Sequence, residues 1–322
     1  MTSSNVKLIM TAKAMQENEA AWLELRNKYI GGSDAAVVAG ISRWKSPYQL
    51  WREKTNQITP EDLSGNMRVW FGKENENTVA KRFTLDTGKK VHKTGVWIND
   101  KYPWACASID RMIIGENAFL ECKTTSSFTK DQWKDDELPD QYYLQILHYM
   151  TVMEMDYCYI ACMMNNCSDY FIRKVPFNEA EAAALMQLEE AFYFENILGG
   201  KEPPIDGSEA TSKVLSDKFK GGKIDPIEMP DEFIAKGKRL AELNSSIKDL
   251  QMEKSTLENE IKGFLGDNEH GYSGNYRFDW TSSKPRTSID GKRLKAENPA
   301  IYDKYVKVGN PVRRFTIKEM GA

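Results

Sequence analysis

The chain has 322 residues, 41% of them hydrophobic and 28% charged, with a net charge of −3. That length supports a large core and the composition is that of an ordinary globular protein. The slight acidity excludes a protein that coats nucleic acid over its whole surface, while leaving room for a local basic patch. No run of about 18 uncharged apolar residues occurs, which excludes a membrane-spanning helix.

Residues 1–15 lack the apolar stretch and cleavage site of a secretory leader, so a cytoplasmic location is expected. Residues 16–30 read as a helix, with Trp22, Leu25 and Tyr29 at helical spacing. Ile30-Gly31-Gly32-Ser33-Asp34 breaks it, and a further helix starts at 35–39 with Ser33 or Asp34 as its N-cap. A short helix at 47–54, a polar loop at 58–65 and a long amphipathic helix at 69–87 come next. Strands are expected at 91–98, 104–109 and 119–122, with turn chemistry at Gly115-Glu116-Asn117. A helix at 139–155 leads into strands at 157–164 and 170–175. The helix at 178–198 opens on an Asn178 cap and stops at Gly199-Gly200.

These elements predict an α/β (α+β) core over residues 1–200, a central mixed sheet flanked by helices. A boundary falls near Pro203-Pro204, and residues 201–230 read as a turn-rich linker. Residues 231–266 read as one long helix spanning about 50 Å at ~1.5 Å per residue. Leu240, Leu243, Ile247, Leu250, Lys254, Leu257, Ile261 and Phe264 alternate along it by three and four, a coiled-coil seam with one lysine interruption. The seam serves packing within the chain, self-association or partner docking. Residues 267–322 form a small C-terminal region with a strand at 275–282. From residue 284 onward ten Lys/Arg stand against four acids, an excess of +6, which suits either a solvated surface or an element that tracks phosphates.

The five cysteines are Cys106, Cys122, Cys158, Cys162 and Cys167. An odd number without a framework pattern points to reduced thiols. Cys158, Cys162 and Cys167 are spaced too loosely for common iron–sulfur motifs and read as core thiols.

The chemistry concentrates around Asp110 and Glu121-Cys122-Lys123. Side chains two apart on a strand share a face, so a hairpin turning at 115–117 brings Asp110, Glu121 and Lys123 together. Two carboxylates and a lysine are the minimal set for metal-assisted phosphodiester hydrolysis: the acids suit Mg²⁺, and the lysine orients or deprotonates the attacking water. The plainer alternative is a surface hairpin with a cross-strand ion pair. Glu76 lies one turn into its helix, where an acid is often only a dipole partner. Gln145 and Tyr149 are i, i+4 on one helix face.

Taken in order, Glu76, Asp110, Glu121-Cys122-Lys123 and Gln145-x-x-x-Tyr149 resemble the RecB-like branch of the PD-(D/E)xK nucleases. The pattern is most similar to the YqaJ-type phage recombination exonucleases, which include lambda exonuclease. Gly72-Lys73-x-x-Glu76-Asn77 resembles their helical Glu motif, and Trp22-x-x-x-Arg26 with Ser33 resembles their N-terminal motif. Ile109 stands where the superfamily name has proline. The likeness covers about residues 16–200 and implies a restriction-endonuclease-like core.

It further implies Mg²⁺, replaceable by Mn²⁺, on Asp110, Glu121 and the backbone carbonyl of Cys122, with Glu76 holding a second ion directly or through water. Gln145 and Tyr149 would steady the metal shell or the DNA strand. Arg26 and Ser33 would hold a DNA 5′-phosphate, for which an arginine fork and a helix N-terminus are both suited. The implied activity is 5′→3′ digestion of double-stranded DNA ends, with the 3′ strand passed to a single-strand annealing protein of the RecT or Red-beta kind. A homo-oligomer is implied, in relatives a ring-shaped trimer, within a bacterial host and of phage or prophage origin. A structure- or site-selective endonuclease on the same core, and a non-catalytic DNA-binding scaffold, are the alternatives.

Overall fold

The protein is described from a computed structural model, which covers residues 5–134, 137–164, 169–285, 287–309 and 313–317. Cys167, Arg286, Lys318 and Glu319 lie outside the described residues. The chain divides into two units, Met1–Lys218 and Phe219–Ala322.

The first unit begins with β1 (Val6–Met10), α1 (Ala12–Glu17), α2 (Glu19–Lys28), β2 (Ile30–Gly31), α3 (Gly32–Val38), α4 (Pro47–Lys54) and α5 (Met67–Thr87). β3 (Val91–His92), β4 (Val96–Asn99), β5 (Ala105–Ser108), β6 (Arg111–Ile113) and β7 (Ala118–Thr125) follow. A 3-10 helix (Ser127–Trp133) leads to α6 (Asp140–Met153), β8 (Tyr157–Met164), β9 (Tyr170–Pro176) and α7 (Glu179–Ala191). A wider π-helical segment (Phe192–Leu198) and α8 (Glu209–Lys218) complete the unit.

The strands form two sheets, ordered β1-β4-β5-β2 and β3-β6-β7-β8-β9. In the larger sheet β7 and β8 run parallel, with Glu121 beside Ile160 and Lys123 beside Cys162, while β6 and β9 are antiparallel to their neighbours. The connection from β7 to β8 passes through α6, as a parallel pair requires. The pleat of β7 then sorts its side chains. Ala118, Leu120 and Cys122 face the α5 residues Val79, Ala80 and Phe83. Phe119 points to the other face, edge-on to Tyr149 of α6 at 6.0 Å. Burying Phe83, Phe119 and Leu120 contributes roughly 1.5–3 kcal/mol each. The expected mixed sheet with flanking helices is present.

Several boundaries differ from the sequence reading, each for a local reason. The helix expected at 16–30 breaks at Asn18, whose side chain accepts from the Ala21 amide at 3.0 Å and starts α2 afresh. The cap of α3 is Gly31 rather than Ser33 or Asp34; Asp34 sits inside the first turn and accepts from the Gly31 amide at 3.2 Å. The strand expected at 91–98 splits into β3 and β4, which belong to different sheets. At Gly95 a Cβ would lie 1.8 Å from the Met10 carbonyl oxygen, so only glycine lets the chain pass β1 there. The Asn178 cap is confirmed, accepting from the Glu181 amide at 3.3 Å. Within the stretch read as linker, α8 packs on α4: the Thr211 hydroxyl meets Ser46 Oγ at 2.7 Å, and Val214 is buried.

The second unit holds α9 (Glu232–Leu265), the hairpin β10 (His270–Ser273) and β11 (Tyr276–Asp279), then α10 (Gly291–Glu297) and α11 (Pro299–Tyr305). Gly274, at φ +56°, turns the hairpin. In the basic tail, Arg313 donates to the Phe219 carbonyl at 3.1 Å.

Candidate active site

The chain leaves one sheet and joins the other at Ile109-Asp110, between β5 and β6. Ile109 is buried, which fixes the crossing point. Pairing of β6 with β7 reaches only to Arg111 opposite Leu120, so the next peptide along β7 lacks a strand partner on that side. Asp110 fills the gap: its Oδ2 accepts from the Cys122 amide at 2.7 Å. The acid is thereby held against Glu121-Cys122-Lys123, as the hairpin argument requires.

Glu121 and Lys123 share a face of β7 and pair at 2.7 Å. α6 lays Gln145 over them. Its Nε2 donates to Glu121 Oε1 at 2.9 Å, and its Oε1 accepts from Lys123 Nζ at 2.9 Å. Lys123 Nζ also lies 5.0 Å from the centre of the Tyr142 ring. One turn on from Gln145, buried Tyr149 places its hydroxyl 3.5 Å from Gln145 Nε2. The Tyr149 ring presses on Gly32, where a Cβ would lie 2.5 Å from Cε1. Next to Gly32, Ser33 Oγ accepts from Arg26 Nη2 at 2.5 Å, and Arg26 lies over the Trp22 ring. Arg26, Ser33, Tyr149, Gln145, Lys123, Glu121 and Asp110 thus form one connected array.

Glu76 comes from α5 but is engaged differently. Arg111, buried beside Asp110, pairs with the Glu76 carboxylate and donates to Asn77 Oδ1 and to the Asp110 carbonyl, both at 2.6 Å. Among the described residues no group of three His, Cys, Asp or Glu side chains stands close enough together to hold a metal ion.

Electrostatically the site is short of positive charge. Burial, then the carboxylates of Glu121 and Glu76, push the Asp110 carboxyl well above the usual range. Burial works against the Lys123 ammonium, yet Glu121 and Asp110 outweigh it and raise its pKa. Glu121 Oε2 is buried with no hydrogen-bond partner among the described residues. A buried carboxylate oxygen left without a donor is costly. Two crowded acids with one orphaned oxygen fit a hard divalent cation, which prefers oxygen ligands.

Sequence reasoning missed the buried residues behind the array. Arg111 directly follows Asp110, and that adjacency was the available signal. Asp34 and Lys54 form a buried pair at 2.8 Å under the Arg26–Ser33 contact. Burial raises the Asp34 pKa, but Lys54 and Arg26 overcome it and hold the carboxyl at about 2. His148, buried on α6, pairs with Glu189 of α7 at 2.9 Å and meets the Cys106 carbonyl at 3.0 Å. Cys158 and Cys162 are buried core thiols.

The first unit is a mixed sheet with flanking helices that carries the array on β7, α3 and α6. The family described as YqaJ-like viral recombinase domain matches residues 21–156. The protein YqaJ of Bacillus subtilis (strain 168), described as uncharacterized, is 35% identical over 328 residues, 99% of this chain and 100% of its own. The chain belongs to the YqaJ-like viral recombinase family. The alkaline exonuclease LHK-Exo from Laribacter hongkongensis is similar at 19% identity and a TM-score of 0.48 over 62% of this chain and 97% of its own. Its complex with dAMP gives 18% identity and a TM-score of 0.50 over 62% of this chain and 96% of that one, a likeness of fold.

Proposed function

We propose that the chain is a metal-dependent deoxyribonuclease that digests double-stranded DNA from its ends, 5′→3′, leaving 3′ single-stranded overhangs for recombination by strand annealing. The observation that carries this reading is the continuous array from Asp110, Glu121 and Lys123, through Gln145 and Tyr149, to Ser33 and Arg26. A site for hydrolysis next to a site for a terminal phosphate is what an end-directed nuclease requires.

Asp110, Glu121 and the Cys122 carbonyl would hold Mg²⁺, with Mn²⁺ able to substitute. The bound ion supplies Lewis-acid stabilisation of the phosphoryl charge and lowers the pKa of water. Lys123, fixed between Glu121 and Gln145, orients the attacking water and donates to the phosphate oxygens. Arg111 holds Glu76 close to Asp110, where the acid adds negative charge beside a second ion or its waters. Arg26 and Ser33 receive the 5′-phosphate, whose oxygens suit a guanidinium fork and a hydroxyl. The buried Asp34–Lys54 pair keeps that shelf in place. Family resemblance adds a single-strand annealing protein as the recipient of the product and a ring-shaped homotrimer as a working form.

The test uses linear duplexes ending in 5′-phosphate, 5′-hydroxyl or covalently sealed hairpins. The proposal expects rapid loss from phosphorylated ends, slower loss from hydroxyl ends and none from sealed ends. Equal cutting of sealed DNA would make the protein an endonuclease.

A further inference from the structure

The seam of α9 is exposed along most of its length. Leu243 is 41%, Ile247 51%, Leu250 63%, Leu257 53% and Phe264 95% exposed. Phe233, one heptad before Leu240, is 39% exposed and extends the same stripe. Six to eight large apolar side chains on one face of a 34-residue helix are a surface that water disfavours. The segment Arg313–Ile317 reaches this helix at Gly237, near one end.

Two features of the sequence specify what covers the stripe. In heptad terms Leu240, Ile247, Lys254 and Ile261 are a positions, and Leu243, Leu250, Leu257 and Phe264 are d positions. A parallel pair stacks each a residue on its own copy, so Lys254 meets Lys254 in the core. It also sets Glu253 at g against Glu258 at e of the other helix, two repulsive contacts. An antiparallel pair sets a against d and avoids both. In the register that places Ile247 against Leu250 of the second copy, Leu240 meets Leu257 and Phe233 meets Phe264. By symmetry that makes six apolar layers. Lys254 then faces Leu243 and Lys236 faces Ile261, and the two ammonium groups turn outward to Glu258 at 3.5 Å and Glu232 at 3.2 Å on the same helix.

The flanks agree with that register. Arg239 at g falls beside Glu260 of the second copy, Asn244 at e beside Gln251, and Ser246 beside Glu253. No like charges oppose each other. Shifting by one heptad in one direction sets Glu253 against itself, and in the other sets Lys254 against Lys236. A seam about 50 Å long and about 10 Å wide covers about 500 Å² on each helix, on the order of 1,000 Å² in total, the area at which a specific interface begins.

We infer that α9 is a homodimerisation element: two copies of this chain join by an antiparallel coiled coil centred between Ile247 and Leu250. The inference is independent of the nuclease reading, and of any assembly made by the first unit.

The experiment measures the mass of the full-length protein by light scattering at micromolar concentration, beside Leu250→Lys. Leu250 is well exposed, so its replacement leaves the fold intact by circular dichroism. The expected result is a wild-type mass twice that of the variant. Equal masses would overturn the inference. Cysteine pairing under mild oxidation, with the unmodified protein as background, reads the direction. Leu240→Cys and Leu257→Cys chains should join each other when mixed, and Leu240→Cys should not join itself. Self-joining of Leu240→Cys would mean a parallel coil and refute the register. Arg239→Glu should weaken the dimer several-fold, and Arg239→Glu with Glu260→Arg should restore it; failure of the double variant to recover also counts against the register.

Discussion

Gly32 is where α3, which carries Ser33, meets Tyr149 and Gln145 of α6, and Gly32→Ala tests whether the array is built as described. A Cβ there would lie 2.5 Å from Tyr149 Cε1, 2.7 Å from Cζ and 3.0 Å from the Gln145 carbonyl oxygen. The ring has little room to yield, since Tyr149 is buried with Phe119 at 6.0 Å and His148 at 5.7 Å. The carbonyl is backbone and moves only with α6. Overpacking of this kind costs about 1–3 kcal/mol. Taking about 2 kcal/mol, melting of a unit this size falls by roughly 4–8 °C. Because α6 carries Gln145, a displacement of about 1 Å would also lower DNA digestion by on the order of 100-fold. The control is Gly65→Ala, where a Cβ meets nothing within 4 Å. Thermal melts by circular dichroism and a digestion assay read both effects. A Gly32→Ala protein that melts and digests like Gly65→Ala would refute the close packing of α3 on α6.

Asp34→Asn should destabilise by about 2–4 kcal/mol at neutral pH, since it leaves Lys54 buried without its partner. The folded carboxyl lies at about 2 against an ordinary 3.8, so its stabilisation is present above pH ~5 and is lost as pH falls toward 2. Denaturant melts should therefore show the gap between wild type and Asp34→Asn narrowing by about 1 kcal/mol by pH 3. A gap constant with pH would contradict the pairing. Glu189→Ala should cost about 3–5 kcal/mol by removing the buried partner of His148; a change under about 1 kcal/mol in urea melts would mean that the pair is not formed. If the basic tail tracks DNA, replacing Arg313 and Arg314 by alanine should lower the salt slope of DNA binding by about two units. An unchanged slope removes the tail from the DNA path.

Much of the fold was legible because its signals are local. The α7 cap, the β8 strand and the stop at Gly199-Gly200 follow from capping residues and apolar runs that act within a few positions. The approach of Asp110 to Glu121 and Lys123 was legible for the same reason, since a turn and a two-residue period determine it. What could not be read depends on distant partners. Nothing near Val91 announces that the strand must break at Gly95, because the reason is the backbone of Met10. The helix α8 sits in a stretch with weak patterning and gains its place by packing Val214 and Thr211 on α4. Arg111 and Lys54 carry no local signal, and Asp34 reads as a helix cap; only the fold buries Arg111 against Glu76 and pairs Lys54 with Asp34. Conversely, the α9 periodicity was visible while its exposure was not.

The central claim is that Asp110, Glu121 and Lys123 form a hydrolytic site for DNA. Its most direct test is digestion of 5′-phosphorylated linear duplex in Mg²⁺ by wild type and by Lys123→Ala, with DNA binding and thermal stability measured on both. The account predicts Mg²⁺-dependent digestion by wild type that falls by at least about 100-fold in Lys123→Ala, while the variant stays folded and still binds DNA. Digestion that survives in Lys123→Ala, or a folded wild type that binds DNA ends and never cuts them, would contradict it.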